Sequence, residues 1–246
     1  MSVLVTGGTR GIGLAVARSF AAPGRRVFVN YREDRAAAES AVAVLESQGA
    51  VADAIAADVG TPAGCAALLA AVAAAGEPLD QLVHCAVRPL PGPVLEADPD
   101  TFNAAVQVNG MSLMYLVQAA LPHMRRGSSV IYLTSRGGRV VVPNYAAIGV
   151  AKALAESLMR YLAVELAPRG IRINAVAPGI VETRAVTTLF GEQARELVEH
   201  AAASNPSGRG VTDDDYTNLI HWLASDAAAY IQGQVVYVNG GANLMA

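Results

Sequence analysis

An α/β fold, a doubly wound parallel sheet of about seven strands with helices on both faces, is predicted by three features of the 246-residue chain. Short β-branched runs alternate with longer alanine-rich stretches of helical character, the segments between the earlier strands are long enough for crossover helices, and a glycine-rich turn follows the first strand directly. The strands are expected near Ser2–Thr6, Arg26–Asn30, Val51–Ala56, Gln81–Cys85, Ser129–Thr134, Ile171–Val176 and Gln234–Val238. No repeat of solenoid length and no low-complexity linker breaks the pattern, so residues 1–246 are expected to form one domain. The Pro/Gly-rich stretch Arg88–Asp100 lies between a strand and a helix, which reads as an active-site loop rather than a boundary.

With 53% hydrophobic and 16% charged residues, the chain can bury a large core. Its net charge of −3 supplies no broad basic field. Nucleic acid and anionic membrane surfaces are therefore not expected as partners, and a small molecule is. Mean hydropathy is positive because alanine and valine are spread along the whole chain, and the most apolar run, Gly64–Gly76, is shorter than the roughly 18 residues a spanning helix needs. The first strand starts at Ser2, which leaves no room for a signal peptide and predicts a cytoplasmic protein. Cys65 and Cys85 have no second pair, and His84, His123, His200 and His221 are scattered, so neither a disulfide framework nor a structural metal is expected.

The first strand runs into Thr6, Gly7, Gly8, Thr9, Arg10, Gly11, Ile12 and Gly13, and then into an amphipathic helix. Small residues let the backbone turn sharply and approach a pyrophosphate, whose charge is stabilised by the free N–H groups of the helix start. A tight turn without a ligand is the plain alternative, which the strand–loop–helix context disfavours. The second strand ends in Asn30, Tyr31 and Arg32, with no acid directly after the strand to bind a bare ribose 2′-hydroxyl. Arg32 together with Arg10 suits a 2′-phosphate, hence NADPH over NADH, unless the two are ordinary surface arginines. Asp58 and Val59 stand where an adenine ring would lie, and Asp58 reads equally as a helix cap for the segment after Thr61.

Taken together, these residues resemble the short-chain dehydrogenase/reductase superfamily nearly end to end. The landmarks are the loop Thr6–Gly13, Ala57–Val59, Asn109 in a mid-chain helix, Ser135 after the fifth strand, Lys152, the turn Asn174–Gly179 and the stretch Gly233–Gly241. The resemblance implies a single-domain Rossmann fold and a homo-oligomer, commonly a tetramer or dimer. Two places depart from the commonest pattern. His84, Cys85, Ala86 and Val87 stand where most members carry N-N-A-G, and Ile148 stands where most carry the tyrosine of Y-x-x-x-K. The enoyl thioester reductases of fatty-acid synthesis, a subgroup of the superfamily, use Y-x6-K instead. Tyr145 and Lys152 have that spacing, Ser135 lies ten residues before Tyr145, and the histidine-containing strand end also looks like that subgroup.

The resemblance assigns roles accordingly. Positions i, i+4 and i+7 of a helix share a face, so Tyr145 and Lys152 can look into one cleft if the helix has begun by Tyr145. Lys152 would donate to the cofactor ribose and, placed near Tyr145, lower a pKa of about 10. Tyr145 would stabilise the enolate that forms when a hydride lands on the β-carbon of an enoyl thioester. Ser135 would support the same oxygen and Asn109 would order a water or the lysine, with cap or turn roles as the plain alternatives for both. Gly149 implies close approach of another backbone or helix, in a helix that lies at a subunit interface in the family. Cys85 and Ala86 read as small residues beside the cofactor. Ile180 and Thr183 would touch the nicotinamide at the start of a mobile lid, about residues 180–210, whose Val186, Leu189 and Phe190 would line an acyl or polyketide-like pocket. Arg88, Arg136 and Arg139 would either receive a pantetheine phosphate or an acidic carrier surface, or be solvated.

Three functions compete at this point. The first is an NADPH-dependent enoyl thioester reductase acting on a carrier-bound or CoA-bound acyl group. The second is a ketoreductase of a specialised metabolite, and the third a catalytically silent NADPH-binding sensor or scaffold.

Overall fold

The computed structural model describes residues 1–242; Asn243 to Ala246 lie outside the described residues. Seven strands form one parallel sheet: β1 (Ser2–Thr6), β2 (Arg26–Tyr31), β3 (Val51–Ala56), β4 (Leu79–His84), β5 (Met124–Leu133), β6 (Arg172–Pro178) and β7 (Val235–Val238). Their order is β3-β2-β1-β4-β5-β6-β7, the doubly wound Rossmann arrangement expected from the sequence. The order reverses between β1 and β4, and the crevice outside the carboxyl ends of the strands is where such sheets bind ligands.

Strand alternation divides the core into two layers. Leu4, Phe28, Leu82, Val130 and Tyr132 face one side, packed with Leu68 and Leu69 of α3 (Pro62–Ala73), Leu113 and Leu116 of α5 (Ser112–Ala120) and Met159 of α6 (Ala146–Leu166). Their strand neighbours Val3, Val5, Val27, Val29, Val83 and Ile131 face the other side, packed with Val16 and Phe20 of α1 (Gly11–Phe20), Leu45 of α2 (Arg35–Ser47) and Ile220 and Leu223 of α9 (Asp213–Ala224). A strand buried on both faces has no polar side to show, which is why these segments read as unbroken apolar runs.

The main difference from the expected elements is the start of β5, five residues earlier than read. Its first part, Met124–Gly127, is polar and largely exposed, and it pairs only through Leu79 before the register shifts ahead of Gln81. The other difference concerns the segment Pro99–His123, where α4 (Pro99–Val106), a π-helical turn (Gln107–Met111) and α5 run on as one helix. By length and composition it could cross a membrane, which the sequence reading did not anticipate, but half of its most apolar window is buried inside the protein.

Candidate active site

The glycine loop fits a dinucleotide pyrophosphate on its own geometry. Gly7 and Gly11 take φ values of +63° and +51°, which side chains disfavour. A side chain at Gly7 would meet the Ala86 backbone at 2.8 Å, and one at Gly13 would collide with the Gly7 carbonyl. Arg10, at the N-cap of α1, gives the helix no side-chain hydrogen bond, so the first N–H groups, at Gly11, Ile12 and Gly13, keep their donor capacity for an anion. Thr9 is buried beneath the loop.

At the adenosine end the structure qualifies the sequence reading. Asn30 is buried and its amide donates to the carbonyls of Tyr31, Ile55 and Ala57, which ties the ends of β2 and β3 together. Tyr31 closes β2, and the two arginines read as free for a 2′-phosphate are both paired. Arg10 lies 2.6 Å from Asp34 and Arg32 lies 2.7 Å from Glu33. Glu33 and Asp34, two and three residues beyond the strand, are the acids that hold them, and only the fold brings Asp34 back to Arg10. Asp58 accepts from the Gly60 N–H at 2.9 Å, while Thr61 is the residue that caps α3. Val59 buries its side chain in the core beside α3, which leaves its backbone as the part that could face an adenine.

The centre of the site holds a buried hydrogen-bond chain whose proton positions follow from its geometry. Thr6 Oγ1 accepts from the N–H groups of Cys85 (3.2 Å) and Ala86 (3.4 Å) and lies 2.6 Å from His84 Nδ1. Ser112 Oγ donates to the Val108 carbonyl at 2.6 Å and lies 2.7 Å from His84 Nε2. With the Ser112 proton committed, Nε2–H must donate to Ser112 and Nδ1 must accept from Thr6. His84 is therefore neutral, and burial holds its pKa down at about 3, with Lys152 second. The imidazole links the glycine-loop strand, the β4 end and α5. The strand-end histidine was noted in the sequence, but its partner Ser112 lies 28 residues on at no informative spacing. Cys85 beside it is an inert thiol, pushed up to about 12 by burial against a smaller pull from Lys152.

Tyr145 is the N-cap of α6 and its hydroxyl donates to Ser135 Oγ at 3.1 Å. Ser135 Oγ also accepts from the Gly137 N–H at 3.2 Å, so its own proton is free to face the cleft. Ile148, one turn before Lys152, is 1% exposed and occupies the inner face. The structure thus brings Tyr145 and Ser135 together as expected. It does not bring Lys152 to Tyr145 in the manner expected. Lys152 Nζ donates to the Leu133 carbonyl at 2.6 Å and lies 4.4 Å from the ring centre of Tyr132. Burial raises the Tyr145 pKa, opposed by the Ser135 hydrogen bond and by Arg136, and Lys152 is not among the causes. The reason is that Tyr145 stands before the first helical residue, whereas Lys152 is buried under the strand ends. Lys152 itself is lowered to about 8 by burial, with Cys85 and Glu156 pulling upward.

Asn109 makes no direct hydrogen bond to the lysine. Its amide donates to the Arg88 carbonyl (2.9 Å) and accepts from the Arg88 N–H (2.8 Å), so it fixes the loop after β4, and its own carbonyl accepts from Tyr132 Oη at 2.5 Å. Tyr132 was missed in the sequence because a buried strand tyrosine carries no local signal. Gly149 has the close backbone neighbour expected, but it is the Gly137 carbonyl of the same chain, 2.6 Å from where a side chain would begin. Arg139 is committed to Glu156 at 3.2 Å and stacks over Tyr237, so it is not open to a carrier phosphate.

The segment expected to act as a lid takes the form of two short helices, α7 (Arg184–Phe190) and α8 (Gln193–Ala203). Ile180 follows β6 after a single residue, Gly179. Thr183 caps α7 by accepting from the Val186 N–H at 3.3 Å, and its methyl lies 3.2 Å from where a Gly11 side chain would begin. Thr183 therefore packs against the glycine loop at Gly11. Leu189 is buried within the lid, with Val186 and Phe190 half-buried beside it.

A family model described as enoyl-(acyl carrier protein) reductase matches residues 7–243. A 1-cyclohexenylcarbonyl-CoA reductase of Streptomyces collinus is 32% identical over 99% of this chain and 87% of its own length. An NADH-dependent enoyl-[acyl-carrier-protein] reductase of a Synechocystis strain is 37% identical over 68% of this chain and 66% of its own. Among solved structures, the angucycline C-6 ketoreductase LanV with bound NADP superposes with a TM-score of 0.88 at 28% identity, covering 98% of this chain and 94% of that one.

Acid sensitivity follows from His84. The unfolded imidazole takes up a proton near its ordinary value of 6.5, whereas the folded one resists until about 3. Stability is therefore present above 6.5 and lost as pH falls toward 3, at up to about 1.4 kcal/mol per pH unit. Urea unfolding followed between pH 7 and 4 should show a shallower decline for His84→Asn than for the parent, and identical slopes would refute this source.

Proposed function

The chain belongs to the short-chain dehydrogenase/reductase superfamily and is an NAD(P)H-dependent oxidoreductase; from that premise we propose that it uses NADPH to reduce the double bond of an enoyl thioester carried by CoA or an acyl carrier protein. The observation that carries this reading is the 3.1 Å hydrogen bond from Tyr145 to Ser135, with the position one turn before Lys152 filled by buried Ile148. The proton donor is thereby set back from the place of the four-residue spacing. In enoyl reduction the hydride lands on the β-carbon while charge gathers on the thioester oxygen, further along the conjugated chain, which is where a set-back donor is useful.

The bound nicotinamide supplies the hydride; the protein supplies everything else. Tyr145 and Ser135 share one hydrogen bond, so one hydroxyl proton of the pair is available to the developing enolate oxygen. Burial keeps Tyr145 in its protonated, donating form. As the β-carbon gains the hydride, the π electrons move to the thioester oxygen, and protonation of the α-carbon completes the saturated product. Lys152 retains donor capacity beyond Leu133 for the ribose hydroxyls and places a cation under the reacting region. Asn109 holds Arg88 and with it the loop that borders the substrate. The half-buried lid residues Val186 and Phe190 offer an apolar wall to the acyl group. Arg10 and Arg32 are the groups assigned to the 2′-phosphate.

A second reading, reduction of a polyketide-like ketone, is favoured by the full-length likeness to a ketoreductase. The same Tyr145–Ser135 pair would then protonate the carbonyl oxygen. NADPH oxidation followed with a short-chain enoyl-CoA, a β-ketoacyl thioester and an aromatic ketone separates the two. Turnover of the enoyl substrate is expected, and turnover of the ketones alone would replace the first reading by the second. Tyr145→Phe should lower kcat by about 100- to 1,000-fold with NADPH affinity unchanged, and an undiminished rate removes Tyr145 from the mechanism.

Lys152 predicts the pH profile. The cation is lost as pH rises through about 8. The kcat/KM profile of the free enzyme should therefore fall above that pH, and the fall should vanish in Lys152→Met. For the cofactor, Arg32→Asp should raise the dissociation constant of NADPH more than that of NADH, and equal changes in fluorescence titrations would contradict the 2′-phosphate assignment.

A further inference from the structure

Glu156 is a carboxylate buried at 3% exposure, one helical turn beyond Lys152 on α6. Each oxygen has a separate partner. Thr134 Oγ1 donates to Oε1 at 2.8 Å, and Arg139 Nε donates to Oε2 at 3.2 Å. These partners bracket Ser135, one directly before it and the other four residues after it, at the end of the turn Arg136–Gly138. The turn is also pressed on the same helix, since a side chain at Gly138 would begin 3.2 Å from Glu156 Oε1 and 3.3 Å from Lys152 Cβ. The guanidinium of Arg139 is held from the far side by the Tyr237 ring on β7, 5.6 Å away. A buried carboxylate is costly unless paired, and an apolar residue would suffice for packing alone.

We propose that Glu156 is a positioning residue: it suspends Ser135 between two fixed anchors, thereby sets the hydroxyl that Tyr145 engages, and supplies the negative charge opposite Lys152. The proposal rests on the assignment of Ser135 and Tyr145 as the donor pair. The titratable groups that act on or pack against Lys152 are Cys85 and His84 from β4 and its end, Tyr132 from β5 and Glu156 from α6, with Arg139 beyond Glu156. Burial keeps the first three neutral at physiological pH. The carboxylate of Glu156 is therefore the charge that favours the Lys152 cation.

Two variants test this with the full-length protein. Glu156→Gln keeps the shape and loses the charge. It should bind NADPH as the parent does, lose roughly 10- to 100-fold in kcat with little change in KM, and shift the alkaline fall of kcat/KM to lower pH. Arg139→Gln, at a side chain 41% exposed and thus tolerant of change, releases one anchor while leaving the carboxylate. It should also lower kcat but shift the alkaline fall to higher pH. Unchanged kcat and unchanged pH profiles, with only the melting temperature reduced, would make Glu156 a structural residue and overturn the proposal. Should Glu156→Gln not fold, the sign of the Arg139→Gln shift decides alone. Full activity of Tyr145→Phe would instead defeat the donor assignment, an outcome separate from the direction of either shift.

Discussion

Two glycines make the contact between Tyr145 and Ser135 possible. A side chain at Gly149 would begin 2.6 Å from the Gly137 carbonyl, and one at Gly137 would begin 2.5 Å from the Tyr145 ring. Their absence lets the first turn of α6 lie directly on the turn that follows Ser135. Only at that separation can a residue outside the helix proper, Tyr145 at the N-cap, bring its hydroxyl to Ser135. Gly149 weakens the helix by about 1 kcal/mol against alanine, and the closeness it permits is the compensating gain. With larger residues at either site the turn would stand off, and Tyr145 would face solvent above an apolar Ile148.

The same geometry divides labour that a shorter spacing would combine. Tyr145 stays protonated because burial outweighs the pull of Ser135 and Arg136. Lys152 is held elsewhere, against the Leu133 carbonyl and the face of Tyr132. The tyrosine is thus a neutral donor tuned by a hydroxyl and a distant guanidinium, and the lysine is a cation whose own balance is set by burial against a carboxylate. Where a lysine stands beside its tyrosine, one group's charge depends on the other's. Here each responds to its own surroundings.

The fold and the meeting of Tyr145 with Ser135 were legible in the sequence because both rest on local rules. Val3, Leu4 and Val5 belong to a strand covered on both faces, so the run is apolar without alternation, and the glycines after it mark a backbone turn. Tyr145, Lys152 and Ser135 declared themselves by spacing. What was not legible depends on neighbours distant in sequence. No local pattern couples His84 to Ser112, Glu156 to Thr134, or the Asn109 amide to Arg88. The start of β5 was misplaced because its exposed first half has lost the apolar signature, and the lysine's separation from Tyr145 depends on where the helix begins, a boundary that spacing does not give. Asp34 was passed over for a related reason: it follows β2 by three residues, and only folding brings it back to Arg10.

That last pair sets the terms on which the adenosine end can recognise a phosphate. Arg10 and Asp34 are each roughly two-fifths exposed, and Arg184 of the lid reaches the same carboxylate at 3.9 Å. Ion pairs this accessible are worth about 0–1 kcal/mol each, whereas a phosphate that draws a bidentate guanidinium forms charge-assisted bonds roughly twice as strong as neutral ones. Displacing Arg10 from Asp34 would therefore cost little if a 2′-phosphate took its place. Asp34 remains nearby as the cap of α2, accepting from the Ala37 N–H, and keeps a negative charge beside the phosphate. Under the proposed use of NADPH, preference for the phosphorylated cofactor would be a difference between two opposing electrostatic contributions rather than the product of one basic pocket. Because Arg184 belongs to the first turn of α7, the charge at Asp34 also bears on that helix.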